Sequence, residues 1–281
     1  MTFLHLWNLF VAAILGLVEG LTEFAPVSST GHMIIVDDLI LKSNHLYGTE
    51  AANVFKVVIQ LGSIMAMVVV FWDRFLNLLG LKKNITREQM YGERLRLTHV
   101  ITGLVPAAVL GFLFEDYIDA HLFSVNTVLV ALVVGAILMI VADLTRPRRP
   151  KTETVDQITY RQAFVVGLFQ CLALWPGFSR SGSTISGGVL LGMSHRAAAD
   201  FTFIMAVPIM FGASFLSLVK HWGAVTPETI PFFITGFISA FIFALIAIKF
   251  FLALINKVKL VPFAIYRILL AIVLLLLIWN R

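Results

Sequence analysis

Only one cysteine, Cys171, occurs in 281 residues. That excludes an intramolecular disulfide, and with no histidine or second cysteine clustered around it, it also argues against a zinc or iron-sulfur centre. Charge is scarce as well. Asp, Glu, Lys and Arg make up 13% of the chain against 59% hydrophobic residues, and the mean hydropathy is +0.92. Soluble domains carry about a quarter charged residues, so this composition belongs to an integral membrane protein. No cleavable leader is expected. The opening MTFLHLWNLFVAAILG has neither a basic region nor a small-residue cleavage site, so it is expected to be part of the mature fold. The net charge of +5 does not by itself point to nucleic acid, because basic residues in such a chain commonly report orientation.

What the chain has in abundance is long apolar runs. A bilayer core of about 30 Å takes roughly 20 residues of helix, and six stretches meet that length, near residues 52–72, 97–114, 124–143, 197–219, 229–251 and 262–279. Two regions do not. The segment around Pro26 and the segment around Pro176-Gly177 each consist of an apolar arm, a polar break and a second arm that soon reaches polar sequence. This is the pattern of a re-entrant hairpin, which a membrane tolerates where protein or a wet cavity satisfies the opened backbone.

The two breaks are related to each other. GLVEGLTEFAPVSSTGH (16–32) and GLFQCLALWPGFSRSGS (167–183) align without a gap at an offset of 151 residues. Gly16, Leu17, Leu21, Ser28 and Gly31 recur as Gly167, Leu168, Leu172, Ser179 and Gly182, while Glu19 faces Gln170 and Ser29 faces Arg180. The expected fold is therefore all-α, with a first repeat over 1–145 (hairpin about 3–42), a basic linker at 146–159 and a second repeat over 160–281 (hairpin about 160–194). A hairpin plus three crossings carries the chain to the opposite face. The second repeat is then inverted relative to the first, and the hairpins are expected to meet near the middle.

Charge tests this topology independently. When loops are assigned by parity, fourteen Lys and Arg residues fall on one side, among them Lys82, Lys83, Arg87, Arg94, Arg146 and Arg149; the other side receives only Lys42, Lys220 and Arg281. The basic side is expected to be cytoplasmic, leaving both termini and an acidic loop, EDYIDAH (115–121), on the far side. Lys56, Lys249 and Arg267 lie near segment ends, where long side chains can snorkel. Arg180, at the tip of the second hairpin, has no such escape. The basic runs at 81–97 and 146–151 read as orientation signals and contacts to anionic membrane lipids, and no base-stacking module accompanies them to suggest nucleic acid.

Ionisable groups at membrane depth cost about 3 kcal/mol each on insertion scales and default to a functional reading. Glu19 and Glu23 are four apart, which puts both carboxylates on one helix face. There they require a positive partner: Arg180 from the facing hairpin or a divalent cation such as Mg2+ or Ca2+; the purely structural option is a Glu–Arg pair that staples the repeats. PGFSRSGST (176–184) surrounds Arg180 with Ser179, Ser181, Gly182, Ser183 and Thr184. Glycines let backbone N–H groups converge on an anion, a helix expected to start near Ser183 adds its positive end, and arginine grips phosphate oxygens bidentately. In the first copy Ser28, Ser29 and Thr30 either cap a short arm expected to begin near Gly31 or handle phosphate. His32 can share a face with Ser29, as a general base beside a hydroxyl nucleophile would. The remaining histidines, His195 among them, sit near boundaries without comparable context.

With the E-x-x-x-E pair at Glu19 and Glu23, the PVSSTGH continuation and PGFSRSGST, the chain resembles the undecaprenyl pyrophosphate phosphatases of the bacitracin-resistance family over essentially its whole length. The resemblance implies a bacterial inner-membrane enzyme that hydrolyses undecaprenyl diphosphate to undecaprenyl phosphate and inorganic phosphate, recycling the lipid carrier of cell-wall synthesis. It also implies divalent-cation dependence and a site open to the periplasm.

On that basis Arg180 with Ser179, Ser181 and Ser183 is expected to hold the diphosphate. Ser29 is expected to attack with His32 assisting, unless an activated water attacks and Ser29 only positions phosphate. Glu23 with Glu19 is expected to bind metal or serve in acid–base chemistry. The rival from another class is a secondary transporter or polyprenyl-phosphate flippase, since inverted repeats with broken helices are also a transporter architecture. The residues do not fix the oligomeric state, and a homodimer stays open.

Overall fold

In the computed structural model, which describes residues 3–81, 94–122 and 124–279, the chain is helical, with one isolated bridge, between Thr152 and Met193. Helix α1 (Phe3–Thr22) leads into a short α2 (Ser29–Met33) that continues as a π-helical stretch, Ile34–Leu41. Then come α3 (Asn44–Tyr47), α4 (Thr49–Val70), α5 (Trp72–Leu78), α6 (Leu97–His121), α7 (Val125–Thr145), α8 (Tyr160–Cys171), α9 (Arg180–Leu190), α10 (His195–Lys220), α11 (Ile230–Val258) and α12 (Val261–Trp279). Seven of these are long and apolar enough to cross a membrane: the six expected from sequence, plus α1 over His5–Thr22. The addition arises because Glu19 does not interrupt α1, and helical hydrogen bonding persists past Thr22, with Glu23 N–H donating to the Glu19 carbonyl at 2.9 Å.

Two details differ from expectation. EDYIDAH (115–121) is helical rather than a loop, continuing α6 beyond a bend at Phe114 (φ −118°, ψ 15°). Lys82, Lys83 and Arg87, which carried part of the charge asymmetry, lie outside the described residues, as does Arg281.

The chain divides into two compact units, one comprising Met1–Ala25, Ser29–Val70 and Ala206–Phe251 and the other Pro26–Ser28, Phe71–Met205 and Leu252–Arg281. Each draws on both halves of the sequence, so the compact units and the sequence repeats are different divisions.

Lipid tails are as apolar as leucine, so helices in a membrane associate through close packing at small residues more than through the hydrophobic effect. In the first unit α1 buries a stripe of Val11, Ala12, Leu15, Gly16, Glu19 and Gly20. A Cβ on Gly16 would lie 2.3 Å from the Gly236 carbonyl oxygen, and one on Gly20 would lie 2.5 Å from that of Ala240. Only glycine permits α1 to approach α11 so closely. Ser239 of α11 adds a 2.6 Å hydrogen bond to the Ala13 carbonyl. Glu19 shares this stripe and is only 5% exposed, so its carboxylate faces protein rather than lipid. Phe55 and Phe232 (ring centroids 4.2 Å apart) fill the core beside it.

The second unit uses the same device. A Cβ on Gly167 of α8 would lie 2.3 Å from the Gly103 carbonyl oxygen of α6. Helix α7 buries Val128, Ala131, Leu132, Gly135, Ala136, Met139 and Ala142, a helical stripe that packs against α9 and α12. The facing stripe of α12 is Ala264, Arg267, Leu270, Ala271 and Leu274.

Candidate functional site

Two helix–turn–helix tips carry the residues singled out in the sequence. In the first, α1 delivers Glu19 and Glu23, the chain turns through Pro26, and α2 begins at Ser29, two residues earlier than expected. The Ser29 hydroxyl donates to Glu23 Oε2 at 2.7 Å. Thr30 and His32 follow, both half-buried, with His32 three residues after Ser29 on the same short helix. Ser28, 3% exposed, has φ 69°. Left-handed backbone in a residue other than glycine costs about 1–3 kcal/mol and clusters where function fixes the geometry.

The second tip repeats this geometry. Ser179, the counterpart of Ser28, has φ 72° and ψ 116°, and α9 begins at the next residue, Arg180, rather than near Ser183. Ser179 is therefore the N-cap. Its Oγ accepts from the Gly182 N–H at 3.2 Å and lies 3.2 Å from the Ser181 hydroxyl. Arg180 is half-buried and its Nη1 reaches the Thr202 carbonyl at 3.5 Å. The Ser183 and Thr184 hydroxyls donate back to the Arg180 carbonyl at 3.0 and 2.7 Å. Both are buried, and Thr184 in turn accepts from Thr202 at 2.8 Å. The serine-rich sequence thus divides: Ser179 and Arg180 are half-buried, while Ser181, Ser183 and Thr184 are buried, the last two bonding back to the Arg180 carbonyl. Gln170, the counterpart of Glu19, is 3% exposed with neither side-chain polar atom hydrogen-bonded.

Among the described residues no three His, Cys, Asp or Glu side chains group as a protein-only metal site. Magnesium needs only one or two carboxylates when waters and other oxygens complete its shell, so by residue type Glu19 and Glu23 are the carboxylates of this tip that could hold one.

Two groups escaped the sequence reading. Arg267 does not snorkel; it is 0% exposed, its Nη2 donating to the Gly177 carbonyl at 3.0 Å and the Ala131 carbonyl at 3.2 Å. The signal was its place on a stripe with Ala264 and Ala271, small residues that mark a packed face rather than a lipid face. His195 also has a context after all. Its Nε2 lies 2.6 Å from Asp143 Oδ1, while Asp143 Oδ2 accepts from the Leu260 and Val261 N–H groups at 2.8 and 3.0 Å, holding the start of α12.

Seven helices of spanning length and apolar composition among the described residues define a multi-pass membrane protein. The family described as bacitracin resistance protein BacA matches residues 12–273, and the chain belongs to that family. Among curated relatives, one from Bacillus subtilis (strain 168) named undecaprenyl-diphosphatase is 70% identical over 271 residues, 96% of this chain and 98% of the relative. Another of that name from Bacillus velezensis is 66% identical, covering 97% and 99%. A third, from Geobacillus kaustophilus, is 70% identical, covering 96% and 98%.

Proposed function

We infer that the protein is a membrane phosphatase that hydrolyses undecaprenyl diphosphate to undecaprenyl phosphate and inorganic phosphate, recycling the lipid carrier of cell-wall synthesis. The observation that carries this conclusion is identity of 63–70% over nearly the full chain with relatives bearing that enzyme's name. Bacitracin resistance follows from the family's description.

In the mechanism we propose, Ser29 attacks the terminal phosphorus. Its hydroxyl proton passes to Glu23, the acceptor already in place at 2.7 Å, as the Oγ–P bond forms and the bond from phosphorus to the bridging oxygen breaks. His32 supplies a proton to the departing undecaprenyl phosphate, a change from the base role expected of it. Water then cleaves the phosphoserine: His32, now neutral, takes the water's proton as the new O–P bond forms, and Glu23 returns its proton to Ser29 Oγ as the Oγ–P bond breaks, restoring both residues. A water attacking directly would need Glu23 unoccupied, whereas the bond from Ser29 supports the serine route. Arg180, Ser179 and Ser181, with Ser28 and Thr30, bind phosphoryl oxygens. Ser183, Thr184 and Gly182 shape the α9 N-terminus, whose positive end favours the anion. A divalent cation, Mg2+ or Ca2+, held by Glu19 and Glu23, would supply further neutralisation of charge. The polyprenyl tail lies along apolar helix faces.

We also retain the inverted-repeat topology with two re-entrant hairpins, an inner-membrane location, periplasmic termini and a periplasmic opening. What supports the repeat is its recurrence in local geometry: Ser28 and Ser179 share a left-handed φ, helices start one residue after each, and a Cβ on either Gly16 or Gly167 would lie 2.3 Å from a backbone carbonyl oxygen of another helix.

The test is phosphate release from undecaprenyl diphosphate by the purified protein in detergent, where transport cannot occur, with Mg2+ or Ca2+ present. Release that is lost in Ser29→Ala and Arg180→Ala is expected. No release by the intact protein would overturn the assignment in favour of the transporter.

A further inference from the structure

We propose that Arg267 is a positioning residue for the phosphate-binding tip, acting through the Gly177 carbonyl and the first turn of α9; this inference rests on the phosphatase reading above. Arg267 is the largest of the fully buried side chains among the described residues. It sits in the second turn of α12 (Val261–Trp279), and its partners are carbonyls and a thioether: Gly177 at 3.0 Å, Ala131 at 3.2 Å and Met139 Sδ at 3.6 Å. Nε has no partner, and no carboxylate among the described residues pairs with the guanidinium. A buried cation served only by neutral dipoles is a poor choice for stability, since apolar replacements of buried ions are often neutral or favourable. Its environment points instead to the tip.

Two glycines make room for it. A Cβ on Gly135 of α7 would lie 2.4 Å from Nη2, and one on Gly182 of α9 would lie 2.9 Å from Nη1. That same Gly182 Cβ would be 3.3 Å from Ser179 Oγ. The guanidinium therefore lies directly behind the N-cap serine and the first turn of α9. By drawing the Gly177 carbonyl inward it fixes the peptide unit that precedes Phe178 and Ser179, where the backbone passes through φ 92° and φ 72°. That geometry sets where Ser179 caps α9 and where Arg180 begins it. The charge also adds to the positive end of α9, from a position the substrate does not touch. Both carbonyls are served by Nη2, at the end of a side chain one atom longer than that of lysine, so a lysine here keeps the charge but falls short of the two carbonyls.

The experiment compares Arg267→Gln and Arg267→Lys with the intact protein in detergent. It reads melting temperature, kcat and KM on undecaprenyl diphosphate, and inhibition by inorganic phosphate. Arg267→Gln is expected to fold, to lose about 10- to 100-fold in kcat with a smaller change in KM, and to need roughly 10-fold more phosphate for half-inhibition. Arg267→Lys is expected to regain most of the phosphate sensitivity, because it restores charge, but little of kcat, because it does not restore the two-carbonyl clamp. Folded Arg267→Gln protein with kcat and phosphate inhibition within about twofold of the intact protein would overturn the proposal. So would failure of both variants to fold, which would assign Arg267 to the core alone. An inactive intact protein would instead sink the phosphatase reading.

Discussion

Ser29 and Glu23, six positions apart across the Pro26 turn, are joined by a 2.7 Å hydrogen bond from the serine hydroxyl to Glu23 Oε2. Glutamine at position 23 keeps a carbonyl acceptor for the hydroxyl but cannot take its proton. Glu23→Gln is therefore expected to fold normally and lose about 10²- to 10⁴-fold in kcat, the usual worth of a general base. Rapid acid quench of the intact protein with labelled substrate should find phosphate on Ser29. Label that never exceeds the level in Ser29→Ala would rule out the serine route and leave an activated water.

Close helix crossings at Gly16 and Gly167 make a sharper steric prediction. In Gly167→Ala the new methyl meets the Gly103 carbonyl at 2.3 Å, and in Gly16→Ala it meets the Gly236 carbonyl at the same distance. Backbone cannot rotate away as a side chain can, so each substitution is expected to cost about 1–3 kcal/mol through overpacking. Gly212→Ala, at a helical position with nothing within 4 Å, should instead be neutral or gain a few tenths of a kcal/mol from helix propensity. Thermal melts of the three variants in one detergent decide the matter; equal melting temperatures would refute the close-crossing account.

Much of this was legible in the sequence because apolar run length and local turn chemistry are carried by the chain itself. The span expected at 262–279 is Val261–Trp279, and the one at 124–143 is Val125–Thr145. The pairing of Ser28 with Ser179 was visible as an ungapped alignment before either had a φ angle. What remained illegible depends on partners distant in sequence. Arg267 reads as a snorkelling residue until Gly177 and Ala131 are known to face it, and His195 has no meaning without Asp143, 52 residues away. Helix starts shifted by two or three residues because each tip enters its helix through a serine with a left-handed φ, which composition does not encode. Helix α1 illustrates the opposite problem: an apolar arm that ends at a polar break looks like half of a hairpin, yet with Glu19 buried against protein it is long and apolar enough to span.

Removal of divalent cations should separate binding from fold. If Glu19 and Glu23 hold Mg2+ or Ca2+ together with the diphosphate, chelation is expected to abolish phosphate release and re-addition to restore it. Because two carboxylates without the substrate make a weak site, the melting temperature of the substrate-free protein should barely move on chelation. Glu19→Gln should raise the cation concentration needed for half-maximal activity by about tenfold or more and leave the melting temperature near that of the intact protein. Full activity after exhaustive chelation would remove the metal from the mechanism.

Ser179 offers a test of strain against capping at a single atom's resolution. With φ 72° it holds a backbone that glycine adopts freely and alanine does not. Its Oγ also accepts from the Gly182 N–H at 3.2 Å. Both Ser179→Gly and Ser179→Ala lose that acceptor, and glycine is tolerated at an N-cap far better than alanine. The glycine variant is therefore expected to be more stable than the alanine variant by about 1–2 kcal/mol. If Ser179 also binds a phosphoryl oxygen, the two variants should nevertheless share a similar rise in KM, because both lack the hydroxyl. A melting temperature for Ser179→Ala at or above that of Ser179→Gly would contradict the strained conformation. Unchanged KM in both would restrict Ser179 to the cap, leaving Arg180 and Ser181 to hold the anion.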